Sequence, residues 1–135
     1  MASSGEPDPA DDPQAPPRQA RLILLDDDAD VRASIGDVLG SAGHQVATYA
    51  SAEDVLADAD SHAGASVLIA DVMLGGPLDG IAVAEALKAR IDGLKVIYMT
   101  GYFPAPLPSG LRPQDRTLRK PFGIAELLTT VRELL

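Results

Sequence analysis

Short apolar runs that each end on a polar or acidic residue, separated by stretches of helical periodicity, do most to constrain what this chain can fold into. Leu22-Ile23-Leu24-Leu25 runs into Asp26-Asp27-Asp28, Val67-Leu68-Ile69-Ala70 into Asp71, and Lys95 to Met99 into Thr100. Continuous apolar runs of this length are what strands buried on both faces require. Gln45 to Tyr49 alternates weakly and suits a further strand. A fifth, from Arg116 to Arg119, leads into Lys120-Pro121. After the first run, Val31, Ile35, Val38, Leu39 and Ala42 share one helical face, with Asp28 or Asp30 as N-cap and Gly43 as the stop. Ser51 begins a short helix carrying Val55, Leu56 and Ala59. Asp79 caps a helix through Arg90, and Ile124, Leu127, Leu128, Val131 and Leu135 stripe a last one. Strand and helix alternate, so the expected class is α/β, a parallel sheet with helices on both faces.

Residues 1–19 differ in kind. Pro7, Pro9, Pro13, Pro16 and Pro17 lie among small and acidic residues with almost no large apolar side chain. Such a segment cannot bury enough surface to offset its ordering entropy, so 1–19 is expected to be a disordered extension and 20–135 a single domain. The formal net charge of −9 argues against a nucleic-acid partner, which needs a basic face. With no cysteine, disulfides, thiolate catalysis and cysteine-ligated zinc are excluded. No run approaches the ~20 apolar residues of a membrane span, and no signal peptide is visible. A soluble, cytoplasmic protein is expected.

In an open parallel sheet, ligands bind beyond the carboxyl ends of the strands. The fold just derived brings Asp26, Asp27, Asp71, Thr100 and Lys120 to that edge. Two carboxylates ~4 Å apart repel by roughly 4 kcal/mol at an effective dielectric near 20, and three need a counterion. A hard divalent cation such as Mg²⁺ accepts one or two carboxylates and keeps the rest of its shell for water and phosphate. A carboxylate can also attack phosphorus as a nucleophile, with the lysine and hydroxyl meeting the transferred oxygens.

The segments Leu24-Leu25-Asp26-Asp27-Asp28, Ile69-Ala70-Asp71 and Lys120-Pro121-Phe122, in this order and at these separations, resemble the receiver domains of bacterial response regulators. The resemblance covers about Arg21 to Leu135. It implies a (βα)5 doubly wound, five-stranded parallel sheet of the flavodoxin-like (CheY-like) kind, with strand order 2-1-3-4-5. It implies that Asp71 accepts a phosphoryl group from a histidine kinase or histidine phosphotransfer protein. Asp27 would bind Mg²⁺ directly, Asp26 would assist through water, and the Met73 backbone carbonyl would complete the shell. Thr100 matches the switch hydroxyl, Lys120 the phosphate-binding lysine, and the bond before Pro121 is expected to be cis. With no output domain after the last helix, the signal is expected to pass to another protein. Such a protein catalyses only its own phosphorylation and dephosphorylation.

The sequence departs from the receiver pattern in three places. The stretch Asp71 to Gly80 is one residue longer than usual, with Gly75-Gly76 absorbing the excess. Pro104, Pro106, Pro108 and Pro113 fall where a receiver carries its fourth helix, so an irregular loop is expected there. Tyr98-Met99-Thr100-Gly101-Tyr102 at its start loosely resembles the single-domain regulators named for a Phe-Ala-Thr-Gly-Tyr sequence. Thr117 stands where many receivers have an aromatic switch residue, leaving Tyr102 or Tyr98 as candidates for that role. His44 and His62 carry no motif and are expected at the surface. Two other functions remain open: a haloacid dehalogenase-type phosphatase using Asp26 with Asp28, and a non-phosphorylated pseudo-receiver acting as a binding module.

Overall fold

A computed structural model describes residues 20–74, 78–101 and 114–135. The N-terminal extension, the Gly75-Gly76 insertion, Tyr102 and the proline-rich stretch through Pro113 lie outside the described residues. The strands are β1 (Arg21–Leu25), β2 (Gln45–Tyr49), β3 (Val67–Asp71), β4 (Lys95–Thr100) and β5 (Arg116–Arg119). They form one parallel sheet in the order β2-β1-β3-β4-β5, as the resemblance implied. The helices described are α1 (Ala29–Ser41), α2 (Ala52–Ala57), α3 (Gly80–Lys88) and α4 (Ile124–Leu134), with a 3₁₀ turn at Ala59–His62.

Side chains alternate across the sheet and feed two cores. Ile23 and Leu25 of β1, Leu68 and Ala70 of β3, and Val96 and Tyr98 of β4 pack with Val55 of α2 and Val83, Ala84 and Leu87 of α3. Their neighbours Leu22, Leu24, Val67, Ile69, Ile97 and Met99 pack on the other face with Ile35 and Leu39 of α1 and Leu127, Val131 and Leu134 of α4. Every residue of β3 is buried, which is why its sequence reads as a continuous apolar run. Each large aliphatic side chain so buried contributes about 1.5–3 kcal/mol. The edge strand β2 is only half-buried, matching its weaker alternation.

Helix starts fall on side-chain caps. Asp28 accepts from the backbone N–H of Asp30 and Val31, Ser51 from Asp54, and Asp79 from Ala82. After α1 the chain turns at Gly43, whose φ of +97° favours glycine. The helix after Asp79 ends at Lys88, short of Arg90, because Ile91 and Leu94 turn inward to the core. The histidines are half-buried rather than simply superficial. His44 Nδ1 accepts from Ala20 N at 3.1 Å, and His62 Nε2 lies 2.6 Å from the Tyr49 hydroxyl. Both thereby tie down neighbouring backbone or side chains.

Two tertiary details position the carboxyl edge of the sheet. Gly80 opens α3 against the end of β3, donating to Val72 O at 3.1 Å; a Cβ there would lie 2.0 Å from the Asp71 carbonyl oxygen. Lys88 Nζ pairs with Asp115 Oδ2 at 2.6 Å in a buried contact that joins α3 to the start of β5. Asp115 Oδ1 also accepts from Val96 N at 3.0 Å. Burial pulls the Lys88 pKa down, but the hydrogen bond to Asp115 and nearby negative charge outweigh it and the net shift is upward. The ion pair is therefore the state held in the fold.

Gly80→Ala is expected to destabilise the protein by about 3 kcal/mol, the upper end of overpacking costs, because backbone must move to admit the methyl group. Chemical denaturation checks this, and a change below ~0.5 kcal/mol, the scale of neutral surface substitutions, would contradict it. Removing one partner of the buried pair, as in Lys88→Met, is expected to cost about 3–5 kcal/mol by leaving the other charge uncompensated. In the same assay, Lys88→Met with Asp115→Asn should cost less than the two single changes added together.

Candidate functional site

The site lies where β1, β3, β4 and β5 end. Asp26 follows β1 directly and is fully buried. Its backbone N–H reaches Tyr49 O at 3.2 Å, extending the pairing with β2 by one step. Its Oδ1 accepts from Asp28 N at 2.9 Å, and its Oδ2 from Lys120 Nζ at 3.0 Å. Asp27 is exposed beside it. Asp71, the last residue of β3, is 8% exposed; its Oδ1 accepts from Met73 N at 3.0 Å and its Oδ2 from Lys120 Nζ at 3.2 Å. Asp26, Asp27 and Asp71 each offer a carboxylate oxygen within 4.8 Å of the others.

Thr100, buried at the end of β4, accepts from Lys120 N at 2.7 Å through its backbone carbonyl. That bond carries the sheet pairing one residue past β5 and sets Lys120 opposite the acids. The Lys120–Pro121 peptide is cis. Met73 is 53% exposed and borders the acids from the β3–α3 loop. Lys120 thus spans the gap between Asp26, 94 residues away, and Asp71, 49 residues away.

The electrostatics follow from this crowding. Burial pushes the Asp71 pKa up; the Met73 N–H and the Lys120 ammonium pull the other way, and the Asp26 charge adds to the rise. Burial alone would depress Lys120, yet its hydrogen bond to Asp26 and the charges of Asp71 and Asp26 raise it overall. One ammonium among three carboxylates leaves net negative charge in a partly desolvated place. The donor set is all hard oxygen, which fits a divalent cation such as Mg²⁺ and does not fit a soft metal.

Asp28 and Tyr98 bear on the remaining sequence expectations. Asp28 turns away from the acids to cap α1, accepting at 2.9 and 3.1 Å from Asp30 N and Val31 N. The Asp-x-Asp pair needed for a phosphatase is thus divided between two tasks. Tyr98 is buried one pleat behind Thr100 on the same face of β4, directly opposite the exposed Thr117 of β5 in register. Its hydroxyl has no hydrogen-bond partner among the described residues, and Lys88 Nζ lies 5.9 Å from its ring centroid. Burial raises its pKa, so it stays protonated.

Two residues here were not singled out from the sequence. Arg32 Nη1 donates to the Asp26 carbonyl at 2.8 Å, and Gly80 lets α3 start against the backbone of Asp71. Arg32 reads as an ordinary helix residue; Gly80 follows a cap, where small residues are common. Only the folded geometry distinguishes either.

Residues 22–132 match the model of the response regulator receiver domain. The chain is similar to the C4-dicarboxylate transport transcriptional regulatory protein DctD of Rhizobium meliloti, 31% identical over 115 residues; the match covers 82% of this chain but 24% of that protein. It is 29% identical to the response regulator receiver protein CpdR of Brucella abortus, over 85% of this chain and 96% of that one. Among solved structures, a response regulator receiver protein from Sinorhizobium medicae superposes with a TM-score of 0.78 at 26% identity, covering 87% of this chain and 94% of that one. No helix among the described residues is long and apolar enough to cross a membrane. From its fold, its strand-end acids and its family match, this chain belongs to the response regulator receiver family.

Proposed function

We propose that the chain is a phosphoacceptor. It would take a phosphoryl group onto Asp71 from a histidine kinase or histidine phosphotransfer protein and signal by protein–protein contact. The observation that carries this reading is Lys120 Nζ standing 3.0 Å from Asp26 and 3.2 Å from Asp71, beside three carboxylates whose oxygens fall within 4.8 Å. Membership of the receiver family supports it.

Each residue has a task in this reading. Asp71 is the nucleophile: its carboxylate oxygen forms a bond to phosphorus as the donor's P–N bond breaks, and the electron pair returns to the donor imidazole. Asp26, Asp27, Asp71 and the Met73 carbonyl would hold Mg²⁺. Bound there, the ion supplies charge neutralisation for the transferring group. Lys120 exchanges part of its contact with the acids for a phosphoryl oxygen, while Thr100 supplies a hydroxyl. Tyr98, filling the space behind Thr100 beside Thr117, is the aromatic that senses movement of that hydroxyl. The added charge, close to two negative units, biases the neighbouring surface toward a different partner affinity. The phosphatase alternative is disfavoured by Asp28, whose carboxylate is committed to the α1 cap.

Incubation with Mg²⁺ and acetyl phosphate is expected to give a single acyl phosphate, trapped with borohydride and mapped to Asp71. Asp71→Asn should abolish it, and Asp27→Ala and Lys120→Ala should slow it by at least tenfold, about 1.4 kcal/mol of barrier. An adduct on Asp26 would favour the phosphatase, and no adduct would favour a binding module.

A second expectation concerns pH. The raised pKa means that folded Asp71 holds its proton more tightly than the unfolded chain does. Its stabilising contribution is thus present below the ordinary 3.8 and lost as pH rises through the higher folded value. At pH 7 without metal, Asp71→Asn should melt at a higher temperature than the parent, and Mg²⁺ should narrow the gap by stabilising the parent. Melting curves in chelator and in Mg²⁺ check this; a lower midpoint for the variant in chelator contradicts it.

A further inference from the structure

The turn that carries the first two acids receives a side-chain bond from within α1. Arg32 lies in the first turns of α1, and its side chain folds back so that Nη1 donates to Asp26 O at 2.8 Å. Its own backbone N–H donates to Asp28 O at 2.9 Å. The main-chain bond is the ordinary first i to i−4 bond of α1, so the guanidinium contact at Asp26 is what distinguishes Arg32. Other bonds reach the turn from within it, from β2, from α1 and from Lys120: Asp28 N to Asp26 Oδ1, Asp26 N to Tyr49 O, Asp30 N and Val31 N to Asp28 Oδ1, and Lys120 Nζ to Asp26 Oδ2.

We infer that Arg32 is a positioning residue for the divalent-cation site, acting through the Asp26–Asp28 turn to fix the direction of the Asp27 carboxylate. This inference rests on the reading of that site as a Mg²⁺-binding phosphoacceptor centre. Asp27 is exposed and follows a fully buried residue, so a shift of the Asp26–Asp28 backbone would redirect its carboxylate. A guanidinium suits this role because it keeps its charge and offers a rigid fork of donors. Without the bond to Arg32, the turn keeps its cap bonds from Asp30 N and Val31 N but loses the contact at the Asp26 carbonyl.

Position and charge make opposite predictions. A positive charge near three carboxylates weakens cation binding by repulsion, so its removal alone would tighten Mg²⁺ binding. Loss of an orienting contact weakens it, and partners that orient metal ligands are typically worth 10–100-fold in affinity. In calorimetric titration of the full chain with MgCl₂, Arg32→Met is expected to bind about tenfold more weakly than the parent. Arg32→Lys, which keeps the charge and one donor, should fall between the two. Amide exchange at Asp28 should quicken in Arg32→Met while exchange in β3 stays as in the parent.

Unchanged or tighter Mg²⁺ binding in Arg32→Met would overturn the inference, as would parental exchange at Asp28. If Arg32→Met does not fold, Arg32→Lys carries the test, and parental affinity together with parental Asp28 exchange overturns the inference. If the parent itself takes up no Mg²⁺, the reading of the site fails. The exchange at Asp28 then decides whether Arg32 holds the turn.

Discussion

Three carboxylates brought within reach of one ammonium at the end of a buried sheet form the constraint on which the rest of the structure depends. Their mutual repulsion is tolerable only because the surrounding protein is rigid and supplies donors: Asp28 N and Lys120 to Asp26, Met73 N and Lys120 to Asp71. The arrangement still leaves excess negative charge in a desolvated place; burial raises the Asp71 pKa most, and the Asp26 charge adds to the rise. A site with unmet demand for positive charge is suited to capture first a hard cation and then a phosphoryl group. The same electrostatic debt that lowers stability in the free protein is what would drive uptake of the ion.

The fold serves this site by holding each charged group from a separate strand. Asp26 follows β1, Asp71 ends β3, Thr100 ends β4 and Lys120 follows β5. Parallel register fixes their relative heights, and the two cores on either face of the sheet fix the strands. Around this frame stand smaller devices. Gly80 allows α3 to begin against Asp71, Arg32 fastens the acidic turn to α1, and the Lys88–Asp115 pair anchors the start of β5. The last of these lies at the start of β5, the strand that Lys120 follows.

The position behind Thr100 is where this chain differs chemically from the pattern it resembles. Thr117 is exposed, and Tyr98, paired with it in register on the neighbouring strand, is buried. Among the described residues the buried Tyr98 hydroxyl meets no hydrogen-bond partner at ordinary bonding distance. Lys88, beside its ring, links that position to α3.

The sequence by itself determined the strands, their parallel order of travel and the polar residues at their ends. These are properties of local pattern: a run of four or five apolar residues must be buried, and whatever follows it must emerge at the sheet edge. Asp26, Asp27, Asp71, Thr100 and Lys120 were legible for that reason, as were the caps at Asp28, Ser51 and Asp79. Tertiary structure alone decided which of these groups touch. The bonds from Lys120 to Asp26, from Lys88 to Asp115 and from Arg32 to the Asp26 carbonyl join residues whose separation carries no periodic signal. The need for glycine at position 80 likewise arises from a backbone approach between elements. Local sequence fixes which face or end a residue occupies, while distance and partner are set by how the helices pack upon the sheet.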